Sequence, residues 1–91
     1  MDVTLYSRPG CTLCTELRRD LDEFQAALNF TLVERNIEDD PADLARFALL
    51  IPVLEIDNGP LLYPPHHWNE LDATLRAASR AAQARALESP A

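Results

Sequence analysis

The stretch Val3-Thr4-Leu5-Tyr6-Ser7-Arg8-Pro9-Gly10-Cys11-Thr12-Leu13-Cys14 holds both cysteines of a 91-residue chain and one of its two glycines. Val3 to Tyr6 is rich in residues that suit a pleated, half-buried surface, and it reads as a strand. Pro9-Gly10 is turn chemistry. From Cys14 onward the apolar residues Leu17, Leu21, Phe24 and Leu28 recur at spacings of three and four, the period of a helix that buries one stripe. Two cysteines separated by two residues, at the start of a helix that follows a strand, form a redox arrangement.

The chemistry follows from position. A helix start presents unpaired N–H groups and the positive end of the helix dipole, and both favour a thiolate over a thiol. Cys11 is placed at that end, with Arg8 three residues upstream able to add a cation. Such settings bring a cysteine from about 8.5 down to roughly 3.5–7.5. Cys11 is therefore the expected nucleophile. Cys14, on the buried stripe, is the protonated partner that closes the disulfide, and Gly10 is expected to relieve crowding where the backbone bends towards the sulfur. A zinc site needs four ligands, and only the adjacent pair His66-His67 is left to complete one. No metal site is expected from such a set.

Composition narrows the classes. Eight arginines, no lysine and fifteen carboxylates leave a net charge of −7, which argues against nucleic acid and anionic membranes as partners. Without lysine there is no Schiff-base chemistry and no phosphate-loop lysine. With Gly10 and Gly59 alone, a Gly-rich dinucleotide loop cannot be built. Two cysteines so close together cannot cross-link distant parts of the chain, so this is not a disulfide scaffold. The N-terminus shows no apolar stretch of signal-peptide length, and the longest apolar run, residues 47–54, is broken by Pro52. The expected compartment is the reducing cytoplasm, where a cysteine pair is catalytic or metal-binding more often than structural.

Taken in order, the chain predicts a first helix over Thr12–Leu28 and a second strand over residues 30–34. That spacing is a βαβ unit with parallel strands and a right-handed crossover. Asp40 is a good N-cap and Pro41 suits the first helical position, so a short second helix should run from there to about Leu49, and the acids around Asp40 read as capping. Residues 51–57 read as a third strand with Pro52 at its start. Asn58-Gly59 is a strong hairpin signal, returning through residues 60–63 as an antiparallel fourth strand that Pro64-Pro65 ends. A last helix should start near His66 or His67, both read as exposed, with Trp68, Leu71, Leu75, Ala78 and Ala82 inward and Trp68 as its core anchor. Beyond Ala78 it should fray or project. Residues 1–86 are expected to form one domain and residues 87–91 a tail.

The order β-α-β-α-β-β-α, the loop Tyr6-Ser7-Arg8-Pro9-Gly10-Cys11-Thr12-Leu13-Cys14 and the segment Ile51-Pro52-Val53-Leu54 together resemble the glutaredoxin branch of the thioredoxin fold. The similarity is to the short glutaredoxin-like proteins of bacteria, and it extends over roughly residues 2–78. It implies an α/β architecture in which a four-stranded mixed sheet is flanked by three helices. It further implies that Pro52 is a cis-proline facing the cysteines and that Ile51 offers backbone groups to an incoming peptide or thiol. The pattern departs from the family after the fourth strand. Glutaredoxins usually carry a Gly-Gly pair there that forms part of the glutathione site, where this chain has Tyr63-Pro64-Pro65-His66-His67. Two prolines remove backbone donors that would hold a carboxylate, which argues against bound glutathione.

The resulting expectation is a cytoplasmic, monomeric thiol–disulfide oxidoreductase with no resident cofactor, acting on a disulfide-containing protein or a small thiol. Cys11 attacks, Cys14 resolves, Arg8 stabilises the thiolate, and Ile51 and Pro52 bind the substrate. The alternatives are a non-catalytic binding module that uses the cleft beside Pro52, or a metal or iron–sulfur carrier.

Overall fold

In the computed structural model, which describes residues 1–57 and 59–88, the sequence alternates strands and helices. β1 spans Asp2–Ser7, α1 Thr12–Leu28, β2 Thr31–Asn36, α2 Pro41–Phe47, β3 Val53–Ile56, β4 Leu61–Leu62 and α3 Trp68–Glu88. The strands form one mixed sheet in the order β2-β1-β3-β4. β1 and β2 are parallel, in register from Asp2↔Thr31 to Ser7↔Asn36. β3 lies antiparallel to β1, and β4 antiparallel to β3. Three helices on a four-stranded mixed sheet is the architecture that the sequence implied.

Strand alternation divides the core in two. Val3 and Leu5 of β1, with Leu54 and Ile56 of β3, face the layer made by α1 and α3. There they meet Leu17, Leu21 and Phe24 of α1 and Leu71 and Leu75 of α3. Tyr6 and Val53 face the other side and meet Phe47 of α2 and Ile37. The first face is covered by two long helices and the second by seven residues of α2. On that thin side Phe47 sits against Tyr6, ring centroids 4.6 Å apart, and is 2% exposed.

Several boundaries differ from the sequence reading, each for a local reason. Asn29 caps α1 in the left-handed region at φ 58°, its N–H donating to the Gln25 carbonyl at 2.7 Å. Asparagine tolerates that region better than most residues. The turn places Phe30 in the core at 4% exposure, and β2 starts one residue later, at Thr31. It then runs on to Asn36, as far as β1 offers a partner. A short 3-10 turn over Ile37–Asp39, not foreseen, follows because Asn36 Oδ1 accepts from the Glu38 N–H at 2.9 Å and Ile37 is fully buried.

Asp40 caps α2 as expected, its side chain accepting from the Ala42 N–H at 2.8 Å. The helix stops at Phe47 rather than Leu49, because the N–H groups of Leu50 and Ile51 both turn back to the Phe47 carbonyl. β3 and β4 are shorter than expected. Pro52 and Pro60 have no N–H to give to a ladder, so pairing begins one residue beyond each. The bonds Ile51–Pro52 and Pro64–Pro65 are cis. Of the Asn58-Gly59 turn, Asn58 lies outside the described residues, while the Gly59 N–H closes on the Ile56 carbonyl at 2.8 Å.

α3 stays helical to Glu88 instead of fraying after Ala78. Its outer turns do project, since residues 83–87 are exposed. One contact returns it to the sheet: Arg85 Nη2 lies 3.3 Å from Asp57 Oδ2. Asp57 in turn accepts the Asp2 N–H at 2.7 Å through its other oxygen. The last residues of the expected tail, 89–91, lie outside the described set. Trp68 is not the buried anchor that its position suggested. It stacks on Phe24 at 4.2 Å but is 43% exposed, because it opens the helix at its solvent-facing tip and covers Phe24 with one face of the ring.

Two outcomes are expected from this packing. Phe47→Ala leaves the thin face uncovered and should cost about 3–5 kcal/mol in urea unfolding; a cost below about 1 kcal/mol would mean that α2 does not close that face. Tyr6 donates its hydroxyl to Glu55 Oε1 at 3.2 Å, and burial first, then the Glu55 charge, raises its pKa above the ordinary 10.0. Because the folded state holds the neutral phenol, this stabilisation is complete below about pH 10 and is lost as pH rises through the raised folded value. In a Tyr63→Phe background, phenolate absorbance should therefore appear at higher pH in the folded chain than in the urea-unfolded chain.

Candidate functional site

β1 delivers the chain to the reactive turn. Its last residue, Ser7, is buried, and its hydroxyl donates to Glu34 Oε2 at 2.9 Å, tying the strand end to β2. The chain then reverses through Arg8-Pro9-Gly10. Gly10 has φ +80°, and a Cβ there would meet nothing within 4 Å beyond its chain neighbours Pro9 and Cys11. The positive φ by itself favours glycine at this position, whatever room the neighbouring sulfur leaves.

Cys11 is the N-cap of α1. Its backbone is extended at φ −88° and ψ 106°, and its Sγ accepts the backbone N–H of Cys14 at 3.1 Å. Its carbonyl accepts from the Thr15 N–H at 3.2 Å, the first full helical bond. The first turn of α1 carries no acidic residue, so no side chain of the helix's own first turn opposes the positive end of the dipole. Cys14 is 3% exposed and Cys11 is half-buried. A disulfide joins them, with Cα atoms 5.2 Å apart. The two sulfurs are therefore unequal: one sits at the protein surface on the helix tip and the other lies beneath it in the core. Once reduced, such a pair presents one accessible thiol whose anion has a backbone donor in place.

The remaining predicted residues fall on two sides of this turn. On one side lies a polar cavity lined by Ser7, Arg8, Cys11, Cys14, Glu34 and Asp39, among others. Arg8 shares that cavity with Cys11, but its guanidinium is engaged by Glu38 at 3.1 Å. Glu34 is similarly engaged by Arg18 at 3.1 Å. The field of Arg8 at the sulfur is accordingly offset by its own partner, a pairing that sequence spacing did not suggest.

On the other side lies a groove of about 440 Å³ between α1 and the proline loops, with Leu13 and Leu17 facing Pro52, Pro64, Pro65 and His66. Glu16 and Asp20 line the same groove. Leu13, between the two cysteines, is 60% exposed. Pro52 is buried and Ile51 half-buried. His66 was read from sequence as an exposed helix-start residue. It is half-buried, and its Nε2 lies 2.7 Å from the Pro52 carbonyl oxygen. A carbonyl can only accept, so Nε2 carries the proton. No local signal links His66 and Pro52, which are 14 residues apart. Among the described residues, no group of three or more His, Cys, Asp or Glu side chains is placed to hold a metal ion. No helix among them is long and apolar enough to cross a membrane.

Comparison with known proteins agrees with this fold. The family described as Glutaredoxin-like domain (DUF836) matches residues 2–76. The X-ray structure of a Northeast Structural Genomics target protein from X. campestris is 32% identical in sequence and superposes with a TM-score of 0.71. That match covers 82% of this chain and 96% of the X. campestris chain. No curated protein matches at a significant level.

The Arg8–Glu38 pair makes a separable expectation for the reduced protein. Glu38→Gln frees the guanidinium and should lower the Cys11 thiol pKa. Arg8→Ala should raise it by less than about one unit, because the charge removed was already compensated. Alkylation rate against pH reads both shifts; an unchanged profile in both variants would show that Arg8 exerts no field on the sulfur.

Proposed function

The chain belongs to the glutaredoxin-like domain family, and on that premise we propose that it is a thiol–disulfide oxidoreductase worked by Cys11 and Cys14. The observation that carries this reading is the Cys11 sulfur capping α1 and accepting the Cys14 N–H at 3.1 Å. A donor and a dipole already aimed at sulfur lower the cost of the thiolate without rearrangement.

In the reduced state the Cys11 thiolate attacks one sulfur of a substrate disulfide. A Cys11–substrate disulfide forms, the substrate S–S bond breaks, and its other half leaves as a thiolate that takes a proton from water. Cys14 then loses its proton and attacks the Cys11 sulfur, releasing the second substrate thiolate and closing the Cys11–Cys14 bond. Two electrons pass from the dithiol to the substrate. An external dithiol or thiol reductant reopens the pair. Burial of Cys14 at 3% suits it to this second step, since it is shielded from outside disulfides and reaches only its neighbour.

Arg8 supplies a modest cationic field, tempered by Glu38. Ile51 offers its carbonyl to the substrate, its N–H being given to Phe47, while Pro52 contributes an apolar wall whose carbonyl His66 holds in place. The Pro64-Pro65 segment supplies no N–H for a carboxylate, which supports a reductant or substrate other than tightly bound glutathione. The reducing cytoplasm is the compartment in which the dithiol form is maintained.

The test is a pair of variants. Cys11→Ser should abolish disulfide reduction, while Cys14→Ser should accumulate a mixed disulfide that mass spectrometry detects. Full reductase activity in Cys11→Ser would overturn the assignment. A Cys11 pKa near the free-cysteine value of about 8.5 would instead favour a binding module that keeps the fold without the chemistry.

A further inference from the structure

The groove between α1 and the proline loops starts at Leu13, the residue between the two cysteines. One face of α1 lines it with Leu13, Glu16, Leu17 and Asp20, positions i, i+3, i+4 and i+7 that lie along one helical stripe. Two of these are apolar and two are acids. The opposite wall is Pro52, Pro64, Pro65 and His66. Prolines present hydrocarbon and carbonyl oxygen but no N–H, and the ring proton of His66 is already given to Pro52. The groove thus has apolar walls and acceptors, with few donors left for an anion.

Its charge is also uncompensated. Among the described residues neither Glu16 nor Asp20 is held in an ion pair, whereas Glu34, Glu38 and Asp22 each are. The polar cavity that Cys11 itself lines adds Asp39, which is in no ion pair among the described residues, whereas its Glu34 is held by Arg18. Its one arginine, Arg8, is committed to Glu38. Unpaired acids therefore stand in both hollows next to the reactive turn, Glu16 and Asp20 in the groove and Asp39 in the polar cavity, in a chain of net charge −7. An exposed leucine between the cysteines, 60% accessible, completes an apolar strip leading away from the sulfur towards the two acids.

We propose that the partner of this site is a cationic polypeptide segment. Its cystine lies at Cys11, an apolar side chain lies against Leu13 and the proline wall, and a neighbouring lysine or arginine pairs with Glu16 and Asp20. The inference rests on the oxidoreductase reading and adds to it the class of substrate. A small anionic thiol is disfavoured on the same grounds: its carboxylates meet carboxylates and proline nitrogens.

The experiment uses the reduced full-length chain and two synthetic peptides, each a mixed disulfide between one cysteine and thionitrobenzoate. Both carry leucine beside the cysteine; one is flanked by lysines and the other by glutamates. Attack by Cys11 on the peptide sulfur releases coloured thionitrobenzoate and leaves a Cys11–peptide disulfide, which Cys14 resolves. Each rate is divided by that of the same peptide with dithiothreitol, which removes the intrinsic reactivity of the disulfide. The lysine peptide should then react about three- to tenfold faster than the glutamate peptide, from two exposed charge pairs and long-range attraction. Added salt should narrow the gap, and so should the double variant Glu16→Gln, Asp20→Asn, whose fold is checked by circular dichroism. Equal normalised rates, faster reaction of the glutamate peptide, or a preference left intact in the folded double variant would overturn the cationic substrate alone. Release from both peptides no faster than with free cysteine would remove the oxidoreductase reading and this inference with it.

Discussion

A single hydrogen bond, from the Cys14 N–H to the Cys11 sulfur at 3.1 Å, joins the local structure of this chain to its chemistry. Helix starts have donors without partners, usually satisfied by an oxygen of Ser, Thr, Asp or Asn. Here sulfur takes that place, so the atom that ends the turn after β1 is also the atom that begins α1. The spacing of the two cysteines follows from the helix. A residue three positions after the cap has its N–H aimed at the cap and, on this stripe, its side chain in the core. Accessible sulfur and buried sulfur are thus consequences of one piece of backbone geometry.

The sheet makes that geometry rigid. β1 is central, paired on both edges, and its inward residues Val3 and Leu5 are fully buried under α1 and α3. The turn that carries Cys11 therefore springs from the best-supported strand in the molecule. The edges are treated differently. β2 is mostly exposed and bears Glu34 and Arg35 among its outward residues, charges that discourage pairing with another strand. β4 is two residues long and bounded by prolines. Charge and proline at these edges also set the character of the site, since β2 contributes Glu34 to one cavity and the proline loops wall the other.

Electrostatics around the sulfur combines opposing effects. The helix end favours negative charge on Cys11, while Glu16, Asp20 and Asp39 leave the two hollows around the turn acidic. The local effect acts over a hydrogen-bond length and in a half-buried position. The carboxylates lie further out, where solvent and salt weaken them. A thiolate can accordingly be stabilised at the cap while the approach to it repels anions. Arg8 shows the same principle on a smaller scale, its charge divided between the cavity and Glu38.

What the sequence determined by itself is whatever depends on neighbours within a turn or two. The extent of α1, the cap at Cys11, the burial of Cys14, the Asp40 cap and the parallel pairing of β1 with β2 were all legible, because periodicity and capping are local. What only the tertiary structure decided are the meetings of residues far apart in the chain. Arg8 finds Glu38 across 30 positions, and His66 finds Pro52 across 14. Trp68 covers Phe24 while remaining half in solvent, and Phe30 leaves its strand for the core. Each of these depends on which faces the crossover connections bring together, a property of the assembled layers to which no stretch of neighbouring residues gives access. The site shares that division: the sulfur cap is encoded locally, and the groove beside Leu13 exists only once α1 and the proline loops stand opposite each other.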